Sequence, residues 1–428
     1  MAQVESRPSL RRELGRWDLT AIGVNQVIGG AVFLTPATLA ASLGGGWSWI
    51  AFIAAGVVSM LIALCFAEAS SRFQGTGGSY LFTREVFGRF AGFEVGWMLW
   101  VTRVTSWSSV VNGLADVLGY YWPGVTAGAA RVALISGVVL TITAINVRGI
   151  RQSAWVVNIL TIGKLAPLAL FILIGIQFID ASALMPAAPL DWSKVGASAL
   201  VLIFAYGGYE VVPVPAGEAK DPVRAAPFAM IATILISGAV MCLVQLTAVG
   251  IFPGLAASRT PLADAAALYF AAGALIMTTG AAVSMSGNNM GQALSGSRNL
   301  FALAEQGDLP RAFGHVHAKF RTPDVAIIFT GAVALALALS GSFVTLAKTS
   351  ALARLVVYSF TCASVLALRR NGPAPFTIPF GPVIPVLGII ASIGIAFGAD
   401  ALQRKTGIIA LAAGAVLYFI ARRSHGRM

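Results

Sequence analysis

Twelve apolar runs, each close to the length needed to cross a bilayer, dominate this chain. They fall at about 18–42, 47–67, 91–118, 127–146, 154–178, 195–216, 226–251, 271–298, 324–341, 347–368, 383–399 and 406–421. A spanning helix needs roughly 20 mostly apolar residues, and backbone in lipid has to satisfy its polar groups within the helix itself. The runs therefore predict an all-α polytopic membrane protein with 12 transmembrane helices. Of 428 residues, 57% are hydrophobic and 11% charged, against roughly 25% charged in an ordinary soluble domain. That shortage excludes a set of water-facing domains, and the hydrophobicity excludes disorder. The first run follows Arg16-Trp17-Asp18 and has others behind it, so it reads as a span and not a cleaved leader. Trp17, Trp47, Trp49, Tyr120, Tyr121, Trp122 and Trp192 mark run ends, where aromatic rings favour the membrane interface.

The gaps between runs carry most of the positive charge. With the N-terminus placed inside, 20 of the 29 lysines and arginines fall in inner segments and 6 in outer ones. Arg103, Lys164 and Arg354 remain within runs. This asymmetry predicts both termini in the cytoplasm, with 1–17 as a cytoplasmic segment and 422–428 as a cytoplasmic tail. It also explains the net charge of +12 as a topology signal, so no nucleic-acid partner is expected. Two gaps are longer. The outer stretch 252–270 is Ala-rich and could form a surface helix, and the inner stretch 305–323 is basic. Cys65, Cys242 and Cys362 lie inside apolar runs without metal or disulfide spacing. His315, His317 and His425 lie in polar segments, which excludes a histidine-based metal centre in the membrane. No cofactor or metal is expected.

Two runs are interrupted in the same way. The first contains Gly29-Gly30 and then Pro36; the sixth contains Gly207-Gly208 and then Pro213 and Pro215. Glycine is a poor helix former and proline removes a backbone donor. Irregular backbone at membrane depth is tolerated where it faces protein or a wet cavity. The breaks lie 178 positions apart, in runs one and six, the spacing of a five-helix unit used twice. Matched interruptions in two halves point to a transport site. Amides opening the half-helix after a break suit a carboxylate, and carbonyls closing the half-helix before it suit a cation. Glycine-rich stretches also permit close helix packing, but the repeat-related positions favour the site.

Ile28-Gly29-Gly30-Ala31-Val32-Phe33 resembles the I-G-[ST]-G-I-F motif of the amino acid–polyamine–organocation superfamily. Phe204-Ala205-Tyr206-Gly207-Gly208-Tyr209-Glu210 is similar to its F-A-[FY]-x-G-[FY]-E. The loop from Glu68 to Tyr80 with Gly77-Gly78, Glu218-Ala219-Lys220-Asp221-Pro222, and Asn289 with Ser297-Arg298 and Gly307-Asp308-Leu309-Pro310 resemble further motifs in the family's order. The resemblance covers nearly the whole chain. It implies a five-plus-five inverted repeat with broken helices one and six, here 18–178 and 195–368, followed by two C-terminal helices at 383–421. It also implies alternating access, with the substrate carboxylate at Ile28, Gly29, Gly30 and Ala31. The substrate amino group is then expected on carbonyls of Phe204, Ala205 and Gly207, with Tyr209 as an aromatic gate. Gly30 and Ala31 depart from the motif, which has a hydroxyl residue and a glycine there.

Lys164 lies near the middle of run five. A buried ammonium has to find acceptors or give up its proton. Some proton-coupled bacterial members of that superfamily carry a lysine in helix five where sodium-coupled ones bind the cation, so the resemblance implies a coupling role. Its expected neighbours are carbonyls near Asn25 and Ile28 and a hydroxyl of helix eight, Ser286. Arg103 is as deep and has to pair, with Glu210, with a helix end, or by stacking on Trp100 and Trp107. Glu210 stands open between a structural and a gating or proton role. Glu68 and Glu94 read as solvated carboxylates near inner ends, and Asn25 and Gln26 as partners for backbone freed by the break.

These readings predict a secondary active transporter of the cytoplasmic membrane, moving amino acids by proton coupling without sodium. A polyamine or organic-cation transporter, or an amino acid exchanger, shares the fold and stays open. A membrane enzyme lacks a catalytic constellation, a channel lacks a filter loop, and a nucleotide-driven pump lacks a P-loop. The expected partners are a small-molecule substrate, a proton and the lipid bilayer. The oligomeric state stays open.

Overall fold

The computed structural model describes residues 14–73, 78–149, 154–213 and 219–425. The expectations for most of 1–17, for Gly77, Pro215 and Glu218 and for the end of the tail fall outside the described residues.

The helices are α1 (Arg16–Val27), α2 (Ala31–Leu43), α3 (Gly45–Ser71), α4 (Ser79–Leu118), α5 (Gly128–Arg148), α6 (Ala154–Gly175) and α7 (Trp192–Tyr206). They continue as α8 (Pro222–Ile251), α9 (Pro261–Ala267), α10 (Gly273–Glu305), α11 (Asp324–Ser340), α12 (Phe343–Leu368), α13 (Val383–Ala396) and α14 (Ala401–His425). Among the described residues, six helical segments are long and apolar enough to cross a bilayer, and the bent pair α1–α2 makes a seventh. The protein is thus a multi-pass, all-helical membrane protein.

The helices show little amphipathic contrast because they turn apolar residues to both sides. Leu140, Ile162, Leu173, Leu235, Ile408 and Val416 are exposed on the outside, as lipid-facing positions should be. The interior holds small polar side chains instead, which join helices by hydrogen bonds where lipid supplies no hydrophobic drive. On α4, Ser108 donates to the Ala334 carbonyl and Ser109 to that of Phe343, each at 2.7 Å, while Asn112 Nδ2 reaches the Ala338 carbonyl at 2.8 Å. Ser106 meets Ser350 of α12 at 2.7 Å. α4 therefore forms the central post, packed on α10, α11 and α12.

Several boundaries differ from the sequence reading. Run three is joined to Ser79–Phe87 across a kink at Gly88, whose φ of 84° breaks the helical path. Run six ends as a helix at Tyr206, followed by a single turn at Tyr209–Val211. The expected surface helix in 252–270 is α9, seven residues long, but Leu262, Ala263, Ala265 and Ala266 are buried against the bundle. Glu68 is not solvated. It is fully buried, and Arg369 grips it with both arms, Nε to Oε1 at 2.7 Å and Nη2 to Oε2 at 2.6 Å. Glu94 is likewise buried, beside Trp97 on its own helix and Gly414 of α14. A second ion pair near that end joins Arg89 to Asp308 at 2.5 Å, with Tyr80 donating to the same carboxylate at 3.2 Å.

Candidate substrate site

The break in the first span is real backbone irregularity. α1 stops at Val27, Ile28 takes φ −77° and ψ 82°, and α2 leaves at 45° to α1. Leaving the helix frees carbonyls, and the described structure gives each a donor. Lys164 Nζ on α6 reaches the carbonyls of Asn25 at 2.9 Å and Ile28 at 3.0 Å. The Ser284 hydroxyl of α10 lies 3.3 Å from the Ile28 carbonyl and 3.2 Å from that of Gly29. Asn288 Nδ2 donates to the Gln26 carbonyl at 3.0 Å. Gly30 precedes α2 without a side-chain cap; the Phe33 amide donates to the Gly30 carbonyl at 3.1 Å, which leaves the amides of Gly30, Ala31 and Val32 for an anion.

The second break forms the facing wall. α7 ends at Tyr206, and Gly208 adopts φ 131°, a conformation that favours glycine. A Cβ there would also lie 2.8 Å from the Gln26 carbonyl carbon, so the two breaks touch. Gly207 has ordinary dihedrals but no room: a Cβ would enter the Arg354 guanidinium.

Beyond this turn, Glu210 gathers a buried charge cluster. Its Oε1 lies 3.0 Å from Arg354 Nε and 3.4 Å from Arg103 Nη2. Its Oε2 accepts the Gly208 amide at 2.8 Å and the Tyr358 hydroxyl at 3.2 Å. Arg103 Nη1 also reaches Gln292 Oε1 at 3.3 Å. Arg354 Nη1 lies 3.5 Å from the Ile203 carbonyl and 3.4 Å from that of Phe204, at the end of α7.

Between the breaks lies a narrow pocket. Gln26, Gly29, Gly30 and Ala31 form one wall; Phe204, Gly207 and Arg354 form the other; Ser106, Asn288 and Gln292 line it from α4 and α10. Of the residues singled out for substrate, Gly29, Gly30, Ala31, Phe204 and Gly207 line this pocket. Ile28 and Ala205 are buried behind it, and the Gly29 amide already donates to the Val27 carbonyl at 2.9 Å. Tyr209 does not cover the pocket. The turn at Gly208 sends its ring between Phe66 and Tyr358, edge-on to the first and stacked on the second at 5.4 Å. Phe204 is the aromatic ring at the pocket instead. Lys164 meets the two carbonyls expected of it. Ser286 does not join it: that side chain faces outward, and the hydroxyl at the break belongs to Ser284. Arg103 pairs with Glu210, one of the partners considered for it.

Sequence reasoning missed Arg354, Ser284 and Asn288. Arg354 is a lone cation within an apolar run, and that isolation is the signal its sequence offers. Among the described residues, no group of three or more His, Cys, Asp or Glu side chains could hold a metal ion.

A profile described as amino acid permease matches residues 14–420. The methylthioribose transporter of Bacillus subtilis is 30% identical, with 99% of this chain and 96% of that protein covered. The branched-chain amino acid permease BcaP of the same organism is 28% identical over 100% of this chain and 97% of its own. The serine/threonine exchanger SteT, also from Bacillus subtilis, is 28% identical over 96% of this chain and 97% of its own.

Proposed function

The chain belongs to the amino acid permease family, and from that footing we propose that it is a secondary active transporter carrying amino acids across the cytoplasmic membrane by alternating access. The observation that carries the reading is the pocket between the two broken spans, with the uncapped start of α2 on one side and the end of α7, its carbonyls covered by Arg354, on the other. Such a pair of half-helix ends is how transporters of this build hold small charged substrates. The reading includes 12 spans in two inverted repeats, 18–178 and 195–368, with both termini cytoplasmic. Being a transporter, the protein is not an enzyme.

Coupling is assigned to the proton, without sodium. Lys164 supports this. Its ammonium sits fully buried on two freed carbonyls, with a serine hydroxyl beside them. That is an oxygen cage of the sort a monovalent metal cation would need, already filled by a covalently attached cation. Protonated Lys164 ties α6 to the break; loss of the proton loosens that tie and frees the first span to move. The two buried arginines against one carboxylate at the pocket weigh against a polyamine or other cationic cargo.

The test is uptake into proteoliposomes of a panel of labelled amino acids and polyamines, with an imposed inward proton gradient, with and without sodium. Gradient-stimulated uptake of an amino acid, indifferent to sodium, is the expected result. Strict sodium dependence would remove the coupling assignment, and transport of polyamines alone would remove the amino acid reading.

A further inference from the structure

We propose that the pocket selects a dicarboxylate among amino acids, an acidic one, with its α-carboxylate at the start of α2 and its second carboxylate on Arg354. This deepens the amino acid reading above and rests on it.

The first ground is charge. Arg103 and Arg354 are each 2% exposed, and among the described residues both share a single carboxylate, Glu210. A guanidinium does not discharge at any accessible pH, so the cluster keeps one positive charge in excess. Lys164, behind the first break, satisfies itself on neutral carbonyls and offers no compensation. A zwitterion of net charge zero leaves this excess in place. A substrate of net charge −1 cancels it, and a cationic one doubles it.

The second ground is position. The carbonyl end of α7 invites a cation, and in this protein the chain itself supplies one. Arg354 Nη1 lies over the carbonyls of Ile203 and Phe204 while Nε faces Glu210. The place where a substrate ammonium would settle on α7 is therefore taken by a guanidinium that also lines the pocket. A planar fork of N–H donors matches a carboxylate, through two parallel hydrogen bonds, better than any other common substrate group. Gly207 makes this placement possible, since any side chain there would strike the guanidinium.

The third ground is the opposite wall. The first turn of α2 has no side-chain cap and lines the same pocket. The pocket lining thus includes two anion-binding groups, one of backbone amides and one of guanidinium. One carboxylate uses one of them; an acidic amino acid uses both.

The experiment is a binding panel on the purified full chain in detergent, read by thermal shift and by calorimetric titration, with L-glutamate, L-aspartate, L-glutamine, L-asparagine and L-lysine. The expected result is at least tenfold tighter binding of each acid than of its amide, and no measurable binding of lysine. In Arg354→Gln the acid-over-amide preference should disappear. Arg354→Lys keeps the charge without the fork and should lower acid affinity several-fold while the acid remains preferred. That variant and the wild-type panel decide the matter if Arg354→Gln fails to fold. Amides bound as tightly as the acids, tight lysine binding, or an undiminished acid preference in folded Arg354→Gln would overturn the inference while leaving the amino acid reading intact. Binding of none of the five would likewise overturn the inference, while the amino acid reading is decided separately by the wider uptake panel above.

Discussion

Lys164 on α6 donates to the carbonyl of Ile28, 3.0 Å away and 136 residues earlier, at the point where the first span loses its helical path. The contact ties a side-chain cation to backbone that has no helical partner. Two consequences separate in Lys164→Ala. The carbonyl of Asn25 loses its charged donor, at about 1–3 kcal/mol for a buried acceptor left unsatisfied, while that of Ile28 keeps the Ser284 hydroxyl. The proposed proton carrier is also gone. Gradient-driven uptake in proteoliposomes should fall to background, while exchange of labelled for unlabelled substrate, which needs no gradient, should persist. Loss of both in a protein that still binds substrate would show that Lys164 is needed for movement itself and not for coupling alone.

Glu210→Gln should be among the most destabilising single changes in the chain. It leaves Arg103 and Arg354, both buried, facing each other without a counter-charge. Removing one partner of a buried pair costs about 3–5 kcal/mol. Adding Arg103→Gln should recover part of that loss, because it removes one of the two stranded cations. Thermal unfolding of the single and double variants in detergent measures both effects. Equal stability of Glu210→Gln and the parent would mean that a bound anion neutralises the arginines or that water reaches and solvates them.

Gly208→Ala should lower stability by about 1–3 kcal/mol for the left-handed backbone alone. The added methyl must also displace the backbone of Gln26. The same melting assay reads it, and an unchanged melting temperature would show that the turn relaxes freely.

Gly30→Leu addresses the pocket. A Cβ there lies 3.2 Å from the Met285 side chain, and the rest of a leucine has to fill the space before α2. Uptake should fall to background in a protein that still inserts and purifies normally. Parent-like uptake would mean that the substrate does not approach the first break.

Topology follows from charge placement. Reporter fusions after Arg423 and within Arg311–Arg321 should both score as cytoplasmic. An outside score at either site contradicts the paired-repeat arrangement.

What could be read from sequence was what local chemistry dictates. Paired glycines followed by proline located both breaks; the depth of Lys164 required that it find acceptors or shed its proton, and the family resemblance pointed to the carbonyls near Asn25 and Ile28. What could not be read was rotation about helix axes. Ser286 and Ser284 differ by two positions, which is about 200° around a helix, so one faces outward and the other faces the break. Tyr209 was misplaced for a related reason: the φ of Gly208 sets where the next ring goes, and composition does not reveal it. Arg354 was visible as an isolated cation, but its partners lie about 150 residues away at Ile203, Phe204 and Glu210. No periodicity in its own helix announces them.

The Glu210 cluster also bears on mechanics. One carboxylate past α7 is held by an arginine from α4 and another from α12. Ion pairs near the helix ends, such as Arg89–Asp308 with its arginine 40% exposed, can part when helices tilt, since water takes over the separated charges. A sealed pair has no such substitute, and pulling it apart strands charge in a dry interior. The three elements are therefore pinned where they meet. In the alternating access proposed above, such a pin would act as a fulcrum, with the rearrangement falling toward the two mouths of the protein and not beside the pocket.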